Sequence, residues 1–411
     1  MERAALVTVD FGKDRTWSAE ERSLELRELA RSSGVKVVIE EIANRHEPSP
    51  AFFIGKGKAE ELQRTRADEA IDVVIFNNDL TGSQQKNLED MIGAKTIDRT
   101  QLILDIFARR ARSNEGKIQV ELAQLLYLLP RLTGKGIYLS RLGGGIGTRG
   151  PGEQKLEVDR RRIRSRITHL KKMLEDLRQR RSMMRKKRER FSILTSAIIG
   201  YTNAGKSTLL NALTNSNVVV EDKLFSTLDP TVRRLILPNR QKVLFIDTVG
   251  FLEDIPHHLI EAFKATLEEV VEADLLLHVV DISHPKASQQ AEAVYRVLDE
   301  IGAKDKPVVT VLNKRDKLED VPSVITRAKE NFNTSCVISA IKKEGFDELI
   351  RAITSYAAKL TTLIKIKLPV SDAKTLNLIY ENGLVINKVY EGDSVSIEAE
   401  VPLRIKGLLG L

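Results

Sequence analysis

The sequence has little cysteine, few aromatic residues and no long apolar run. Its 411 residues include one cysteine, Cys336, and one tryptophan, and aromatic residues make up 5% of the chain. A single cysteine excludes an internal disulfide and is typical of a reducing compartment. We find no run of about 18 apolar residues and no charged N-terminal segment followed by an apolar one, so we predict neither a membrane span nor secretion. These absences favour a cytoplasmic protein.

Positive charge is concentrated in one segment. The formal net charge of the chain is +8. Residues 155–190 contain 16 Lys and Arg against 5 Asp and Glu, a net of +11, which leaves −3 for the remainder of the chain. This segregation favours a polyanionic partner over a general role of the charge in solubility.

One stretch fits the phosphate-binding loop (P-loop), G-x-x-x-x-G-K-[ST]. Residues 193–199 predict a buried strand before it, and leucines at helical spacing predict a helix after it. The glycines let backbone N–H groups turn toward phosphate oxygens, and the helix start adds its positive partial charge. We expect Lys206 to reach the outer phosphates and Ser207 to ligate Mg²⁺. The predicted phosphate-binding residues are Gly200, Tyr201, Thr202, Asn203, Ala204, Gly205, Lys206, Ser207 and Thr208.

A second predicted strand, residues 243–246, leads into Asp247-Thr248-Val249-Gly250. An aspartate at a strand tip beside the phosphates can hold the Mg²⁺ shell through a water molecule. Gly250 has no Cβ, so its backbone N–H can approach the terminal phosphate. We therefore include Asp247, Thr248, Val249 and Gly250 in the nucleotide site and assign Gly250 a part in catalysis.

The chain also carries residues suited to selecting the base. A predicted strand at residues 307–312 precedes Asn313-Lys314-Arg315-Asp316, and another at residues 335–338 precedes Ser339-Ala340. The ionised Asp316 carboxylate can accept two N–H groups from guanine, whereas adenine would leave it unpaired at a cost of roughly a few kcal/mol. These motifs fall at the carboxyl ends of strands, where doubly wound sheets bind ligands. We therefore predict a site for GTP and GDP; use of ATP as well stays open.

With these motifs the sequence resembles the translation-factor-related GTPases, and within them the HflX family of the Obg–HflX group. Residues 224–231 are similar to that family's first switch. The resemblance implies that Thr227 completes the Mg²⁺ shell when the γ-phosphate is bound, with Thr231 as the alternative. Together with the motifs above, it gives Lys206, Thr227 and Gly250 as the predicted catalytic residues. It also adds to the nucleotide site Phe225, Ser226, Thr227, Leu228 and Asp229.

Two residues bear on the hydrolysis mechanism. Position 251 is Phe, where many Ras-like GTPases carry a glutamine that orients the attacking water. A phenyl ring cannot do so by hydrogen bonding, so we expect slow intrinsic hydrolysis that is accelerated from outside the G domain. Asn203 resembles the asparagine with which similar GTPases hold K⁺ beside the phosphates; the alternative is an asparagine that merely accepts a positive φ angle. The expected cofactors are GTP or GDP with Mg²⁺, and K⁺ is a candidate.

The predicted elements divide the chain into four parts. Residues 1–112 alternate strands and helices, as in a small α/β domain with a parallel sheet. We expect residues 98–190 to be helical with one interruption, so that residues 113–190 form a hairpin of two antiparallel helices. We expect residues 192–360 to form the GTPase domain, in which residues 274–281 are a further buried strand, and residues 363–411 to form a small domain. The predicted fold class is α/β: a P-loop GTPase domain, an N-terminal α/β domain carrying a long antiparallel helical hairpin, and a small C-terminal α+β domain.

The loop at the tip of the predicted hairpin is rich in glycine and basic. From Thr133 to Gly152 there are eight glycines, three basic residues and no acid. Such a loop can be disordered when free and become ordered against RNA; the alternative is a solvated, mobile loop. Residues 1–190, including residues 141–153, are similar to the HflX family's N-terminal domain. That resemblance implies contact with the large ribosomal subunit and its RNA near the peptidyl-transferase region, and separation of stalled or stress-inactivated ribosomes.

We therefore predict a monomeric, GTP-hydrolysing switch that engages the large ribosomal subunit. The first alternative is an RNA-binding module whose nucleotide is structural. The second is a regulatory GTPase that associates with a membrane surface, where the basic segment meets anionic lipid.

Overall fold

The computed structural model describes residues 1–12, 16–132, 151–190, 193–214, 224–225, 227–253, 256, 259, 267–318, 321–332 and 334–409. The chain divides into two compact units. The first comprises Met1–Asp176, Asp222–Leu228 and Ile255–Phe263, and the second comprises Leu177–Glu221, Asp229–Asp254 and Lys264–Leu411.

The N-terminal part of the first unit is a parallel α/β structure, as predicted. Its strands are β1 (Arg3–Asp10), β2 (Lys36–Asn44), β3 (Val73–Phe76) and β4 (Lys95–Asp98), and its sheet has the order β2-β1-β3-β4 with every pair parallel. Helices α1 (Ala19–Ser33), α2 (Lys56–Glu69) and α3 (Gly82–Ile92) connect these strands. Strands β1 and β3 supply much of the core, since Leu6, Val7, Val74 and Phe76 are fully buried.

Residue types set the ends of the first helix. The Ser18 hydroxyl accepts the Glu21 N–H while the Glu21 carboxylate accepts the Ser18 N–H, so the helix α1 begins with a capping box. It ends at Gly34, whose φ of 83° is the left-handed conformation that glycine adopts without strain.

The helical region differs from the prediction. Helix α4 (Arg99–Arg110) ends before α5 (Asn114–Arg131) begins, and residue 98 belongs to strand β4. The expectation of a single interruption over residues 98–190 is therefore wrong. The additional break occurs at Ser113, whose hydroxyl accepts the Gly116 N–H at 2.8 Å and so starts a new helix.

The long helix α6 (Pro151–Arg190) has 40 residues. Its Arg166 guanidinium donates to both Glu121 carboxylate oxygens, at 2.7 and 2.9 Å, so α5 and α6 lie side by side at this point. Ile167 and Leu170 of α6 are buried. The tip loop falls largely at residues 133–150, outside the described part of the chain.

The second unit contains a six-stranded sheet. Its strands are β5 (Leu194–Gly200), β6 (Thr231–Ile236), β7 (Lys242–Asp247), β8 (Leu275–Asp281), β9 (Val308–Asn313) and β10 (Ser335–Val337), in the order β10-β9-β8-β5-β7-β6. All pairs are parallel except β6 with β7. The five parallel strands are those predicted, whereas β6 was not predicted, since its residues are mostly exposed and include Arg233 and Arg234.

Among the described residues, the helices that accompany this sheet include α7 (Lys206–Thr214), α8 (Ala287–Glu300), α9 (Val321–Asn331) and α10 (Phe346–Ala358). A buried apolar cluster joins the sheet to α7 and α10, and it includes Ile198, Leu210, Phe245 and Ile353. Cys336 belongs to the same cluster and is 3% exposed, because it packs as an apolar residue.

The C-terminal part is small and α+β, as predicted. Strands β11 (Thr361–Pro369), β12 (Leu384–Glu391) and β13 (Ser394–Pro402) form an antiparallel sheet in the order β11-β13-β12, with helices α11 (Ala373–Asn382) and α12 (Leu403–Leu408). It has its own buried cluster, which includes Ile364, Ile379 and Ile397. Within the described residues, no helix has the length and apolarity needed to cross a bilayer.

Candidate nucleotide-binding site

The P-loop connects the end of β5 to the start of α7, as the motif requires. Gly200 has φ +149°, and a Cβ there would lie 2.3 Å from the carbonyl oxygen of Val279 on the neighbouring strand. Gly205 has φ +98°, and its Cβ would lie 2.3 Å from the Asn313 amide nitrogen. Glycine is therefore required at both positions by conformation and by space.

Lys206 lies within the curve of this loop and is 7% exposed. Its ammonium donates to the carbonyl oxygens of Gly200 at 3.0 Å and Tyr201 at 2.8 Å. Burial is the main cause that lowers the pKa of Lys206 to about 8; the charge of Asp247 opposes this shift, and the charge of Lys314 adds to it. A buried ammonium in this loop is suited to a polyanionic ligand.

Two oxygen side chains meet next to Lys206. The Ser207 hydroxyl donates to the Asp247 carboxylate at 2.6 Å, and Asp247 is fully buried at the end of β7. The Thr248 hydroxyl donates to the carbonyl oxygen of Ile198 at 2.7 Å and fixes the loop that follows. A hydroxyl and a carboxylate are hard oxygen donors of the kind that Mg²⁺ prefers, so these residues fit the predicted metal site.

The segment after Asp247 contacts the P-loop directly. A Cβ on Gly250 would lie 2.8 Å from the Thr202 methyl group and 3.0 Å from the Lys206 ammonium. Phe251 donates its N–H to the Gly200 carbonyl at 3.2 Å and accepts the Thr202 N–H at 2.8 Å. The Phe251 side chain is 1% exposed, so it packs in the core.

Asn313 connects the phosphate end of the site with the base end. Its amide donates to the Ala204 carbonyl at 2.9 Å, and its side-chain oxygen accepts the Ala340 N–H at 3.0 Å. It is 2% exposed. One side chain therefore fixes the P-loop and the Ser339-Ala340 loop relative to each other.

The predicted base-selecting aspartate is held by the same loop. The Ser339 hydroxyl donates to the Asp316 carboxylate at 2.6 Å and accepts the Lys342 N–H at 3.1 Å. Lys314 has φ 63° and pairs with Asp281 at 2.7 Å. Asp281 was missed by the sequence analysis, although its place at the carboxyl end of β8 is the signal that marked the other site residues.

The structure therefore brings most of the predicted residues together in the second unit. Asn203 is exposed with φ 59°, the positive angle that asparagine tolerates, and its role toward K⁺ stays a prediction. Thr231, the alternative switch threonine, is the first residue of β6 and lies opposite Asp247 in the strand register.

The predicted first switch, apart from Asp229, belongs to the first unit. The Phe225 ring packs edge-on against Phe107 of α4, with centroids 4.6 Å apart, and the Leu224 N–H donates to the Ser32 hydroxyl at 2.9 Å. Leu228 is buried and Thr227 partly buried, while Ser226 lies outside the described residues. The contacts with Phe107 and Ser32 could not be predicted, because no local pattern joins residues so distant in the chain. The part assigned to Thr227 stays a prediction.

Three family models match consecutive parts of the chain. Their descriptions are "GTP-binding GTPase N-terminal" for residues 20–108, "GTP-binding GTPase Middle Region" for residues 110–188 and "50S ribosome-binding GTPase" for residues 195–314. The GTPase HflX of Caldanaerobacter subterraneus subsp. tengcongensis is 49% identical over 405 residues, which cover 98% of this chain and 92% of that protein. The GTPase HflX of Escherichia coli is 40% identical over 403 residues, which cover 98% of this chain and 94% of that protein.

The chain belongs to the HflX family of GTPases. A solved structure of SsGBP in complex with GDP is 27% identical, has a TM-score of 0.50 and covers 88% of this chain and 99% of that one. The predicted family, the P-loop GTPase fold, the hydrolysis of GTP and the binding of GTP and GDP are thereby confirmed.

Proposed function

We propose that this HflX-family GTPase binds the large ribosomal subunit and that the bound nucleotide controls this association. The observation that carries the proposal is the match of residues 195–314 to a family described as a 50S ribosome-binding GTPase. The protein would act as a cytoplasmic monomer on stalled or stress-inactivated ribosomes and separate their subunits.

The charge of α6 supports an RNA partner. Arg161, Arg164, Lys172 and Arg180 are exposed on this helix. Other basic residues are already used within the protein: Arg166 pairs with Glu121, and Arg178 with Glu268. The exposed cations remain available to neutralise phosphates, and binding of this kind weakens as salt rises.

We infer that the Ser207 hydroxyl and the Asp247 carboxylate hold Mg²⁺, the latter through water, and that Thr227 joins them when a γ-phosphate is bound. When bound there, Mg²⁺ would neutralise negative charge on the phosphates. Lys206 would contact the outer phosphates, Gly250 would donate its N–H to the γ-phosphate, and Asn203 would hold K⁺ beside them.

Hydrolysis would be slow without a partner. Phe251 occupies the position at which many related GTPases have a glutamine that orients the attacking water molecule. The Phe251 ring is buried and offers no hydrogen bond to such a water molecule. Contact with the ribosome would supply the missing orientation. Hydrolysis of GTP would then follow binding of the protein to the ribosome.

The test is co-sedimentation of the full chain with whole ribosomes and with each isolated subunit, under GDP, GTP and a non-hydrolysable GTP analogue. We expect the protein to sediment with large subunits and to do so more with the analogue than with GDP. Lys206→Ala is the control, because it should weaken triphosphate binding and remove this difference. Equal sedimentation in all nucleotides, or none with the large subunit, contradicts the proposal.

The basic segment also motivates the membrane alternative. Flotation with vesicles containing anionic lipid, at the salt concentration used for sedimentation, distinguishes the two partners. Flotation without ribosome sedimentation would favour a membrane-surface GTPase.

A further inference from the structure

The P-loop residue Tyr201 contacts the segment that follows Gly250. Its side chain is buried, and its hydroxyl oxygen accepts the Glu253 N–H at 2.9 Å. The backbones of Tyr201 and Phe251 also pair as a parallel bridge. The P-loop therefore holds residues 251–253 by a side chain as well as by its backbone.

Glu253 has a second anchor. Its carboxylate accepts a hydrogen bond from the Arg296 guanidinium of α8 at 2.6 Å, and the Glu253 side chain is 12% exposed. The backbone of Glu253 is thus held by the P-loop and its side chain by α8. Gly250 lies three residues before this doubly held position, and a Cβ added to it would lie 2.8 Å from the Thr202 methyl group.

We propose that Tyr201 is a positioning residue for GTP hydrolysis, whose hydroxyl holds residues 250–253 so that the Gly250 N–H points to the γ-phosphate. The hydrogen bonds described between Phe251 and the P-loop use the backbone of Phe251. The Tyr201 hydroxyl adds a side-chain hydrogen bond from the P-loop to this segment. The inference rests on the proposed contact of Gly250 with the γ-phosphate and is independent of the ribosome. A diphosphate has no γ-phosphate, so the effect of Tyr201 should fall on triphosphate binding and on turnover.

The experiment removes the hydroxyl and keeps the ring. In Tyr201→Phe, measured without ribosomes, we expect the single-turnover hydrolysis rate and the affinity for a non-hydrolysable GTP analogue to fall about three- to tenfold, the usual effect of one lost hydrogen bond. The affinity for GDP should stay within about twofold of wild type, because the P-loop glycines and Lys206 are unchanged.

Tyr356→Phe is the matched control. The Tyr356 hydroxyl donates to the Asp274 carbonyl at 2.8 Å in the same unit but does not belong to the nucleotide site. Its loss should lower the thermal midpoint and leave the ratio of analogue to GDP affinity unchanged. The Tyr201 proposal is overturned if Tyr201→Phe hydrolyses GTP at the wild-type rate or faster, or if it loses affinity for GDP and the analogue equally.

Gly250→Ala distinguishes the proposed role of Gly250 from the proposed role of Tyr201. An added methyl group meets Thr202 and Lys206, so this variant should lose preference for the triphosphate. If Gly250→Ala keeps that preference, the proposed role of Gly250 fails, and the Tyr201 inference fails with it. If Gly250→Ala loses the preference and Tyr201→Phe does not, the Tyr201 inference alone fails.

Discussion

At the scale of single residues, burial of Lys206 gives the nucleotide site a pH dependence. Its pKa is lowered to about 8 from the ordinary 10.5, so the folded protein loses this proton before the unfolded chain does. Between these two values the unfolded chain binds more protons, and the contribution of this group to stability therefore rises with pH. Bound phosphates, in contrast, favour the charged ammonium. Above pH 8, where Lys206 of the free protein has lost its proton, nucleotide binding must therefore take up a proton.

We expect the protonation of Lys206 to leave the affinity for GDP and for a GTP analogue independent of pH below pH 8 and to make it fall by up to about tenfold per pH unit above pH 8. Fluorescent-nucleotide titrations from pH 7 to 9 measure this slope. Lys206→Arg, whose guanidinium stays charged, should lose the decline. A wild-type affinity that stays constant to pH 9 would show that Lys206 keeps its proton in the free protein.

We predict that Asp316 selects the base. Asp316→Asn leaves a neutral amide beside the Ser339 hydroxyl and removes a charged acceptor for guanine. We expect guanine-nucleotide affinity to fall about ten- to hundredfold, with a smaller effect on adenine nucleotides. Competition binding with GDP and ADP checks this, with the exposed Asp305→Asn as the control. An unchanged guanine preference would place base selection elsewhere.

Side-chain contacts between distant parts of the chain were beyond sequence reasoning. The motifs identified Lys206, Ser207, Asp247, Asn313 and Asp316, because each follows a strand with a strong apolar pattern. Tyr201 was predicted as a phosphate-loop residue, but its hydrogen bond reaches a residue 52 positions away. Likewise, the Phe225 contact reaches Phe107, and no periodicity predicts which aromatic residues meet.

At the scale of elements, buried strands were easier to predict than exposed ones. The five parallel strands of the large sheet are apolar runs that end in polar motifs, and all were found. Among the described strands, β6 lies at the edge of the sheet beside β7 and has little buried surface, so it has no comparable signal. The break before α5 depends on one capping serine, Ser113, within an otherwise helical pattern.

Ion pairs hold the part of α6 around residues 178–181. Arg181 lies 3.8 Å from Glu268 and 3.9 Å from Glu269, and Arg178 lies 2.5 Å from Glu268. Both glutamates are buried, in a helical stretch at residues 267–272. Carboxylates buried in this way require cationic partners.

Arg181→Ala should therefore lower the free energy of unfolding by about 1–3 kcal/mol, because two buried carboxylates lose a partner. Arg180→Ala is the matched control: Arg180 is the neighbouring residue and is exposed, so its loss should cost less than about 0.5 kcal/mol. Urea unfolding of both variants measures the difference. Equal stability of the two would show that this ion-pair cluster does not anchor the helix.

At the scale of the whole molecule, the basic segment and the nucleotide site occupy different stretches of the chain. The described P-loop and base-contacting residues lie in the second unit, whereas residues 155–190, with a net charge of +11, belong partly to the first unit and partly to the second. The boundaries predicted for the four domains remain predictions. The charge indicates a polyanionic partner but does not identify it. The match of residues 195–314 to a family described as a 50S ribosome-binding GTPase makes the large ribosomal subunit the partner to test.

Deleting residues 133–152 should leave basal GTP hydrolysis within about twofold of wild type, since no motif of the nucleotide site lies there. It should weaken ribosome co-sedimentation, because the loop is the predicted RNA-contacting tip. In a control variant, a glycine and serine sequence of equal length replaces the loop. This control separates the effect of the basic residues from that of the loop length. Full ribosome binding by both variants would show that the loop is not an RNA contact.

The most direct test of the central claim is the steady-state rate of GTP hydrolysis with and without purified large subunits. We expect a slow rate for the protein alone and at least a tenfold increase with large subunits, since stimulation by a partner that completes such a site can reach 10³-fold or more. A rate that large subunits leave unchanged would contradict it.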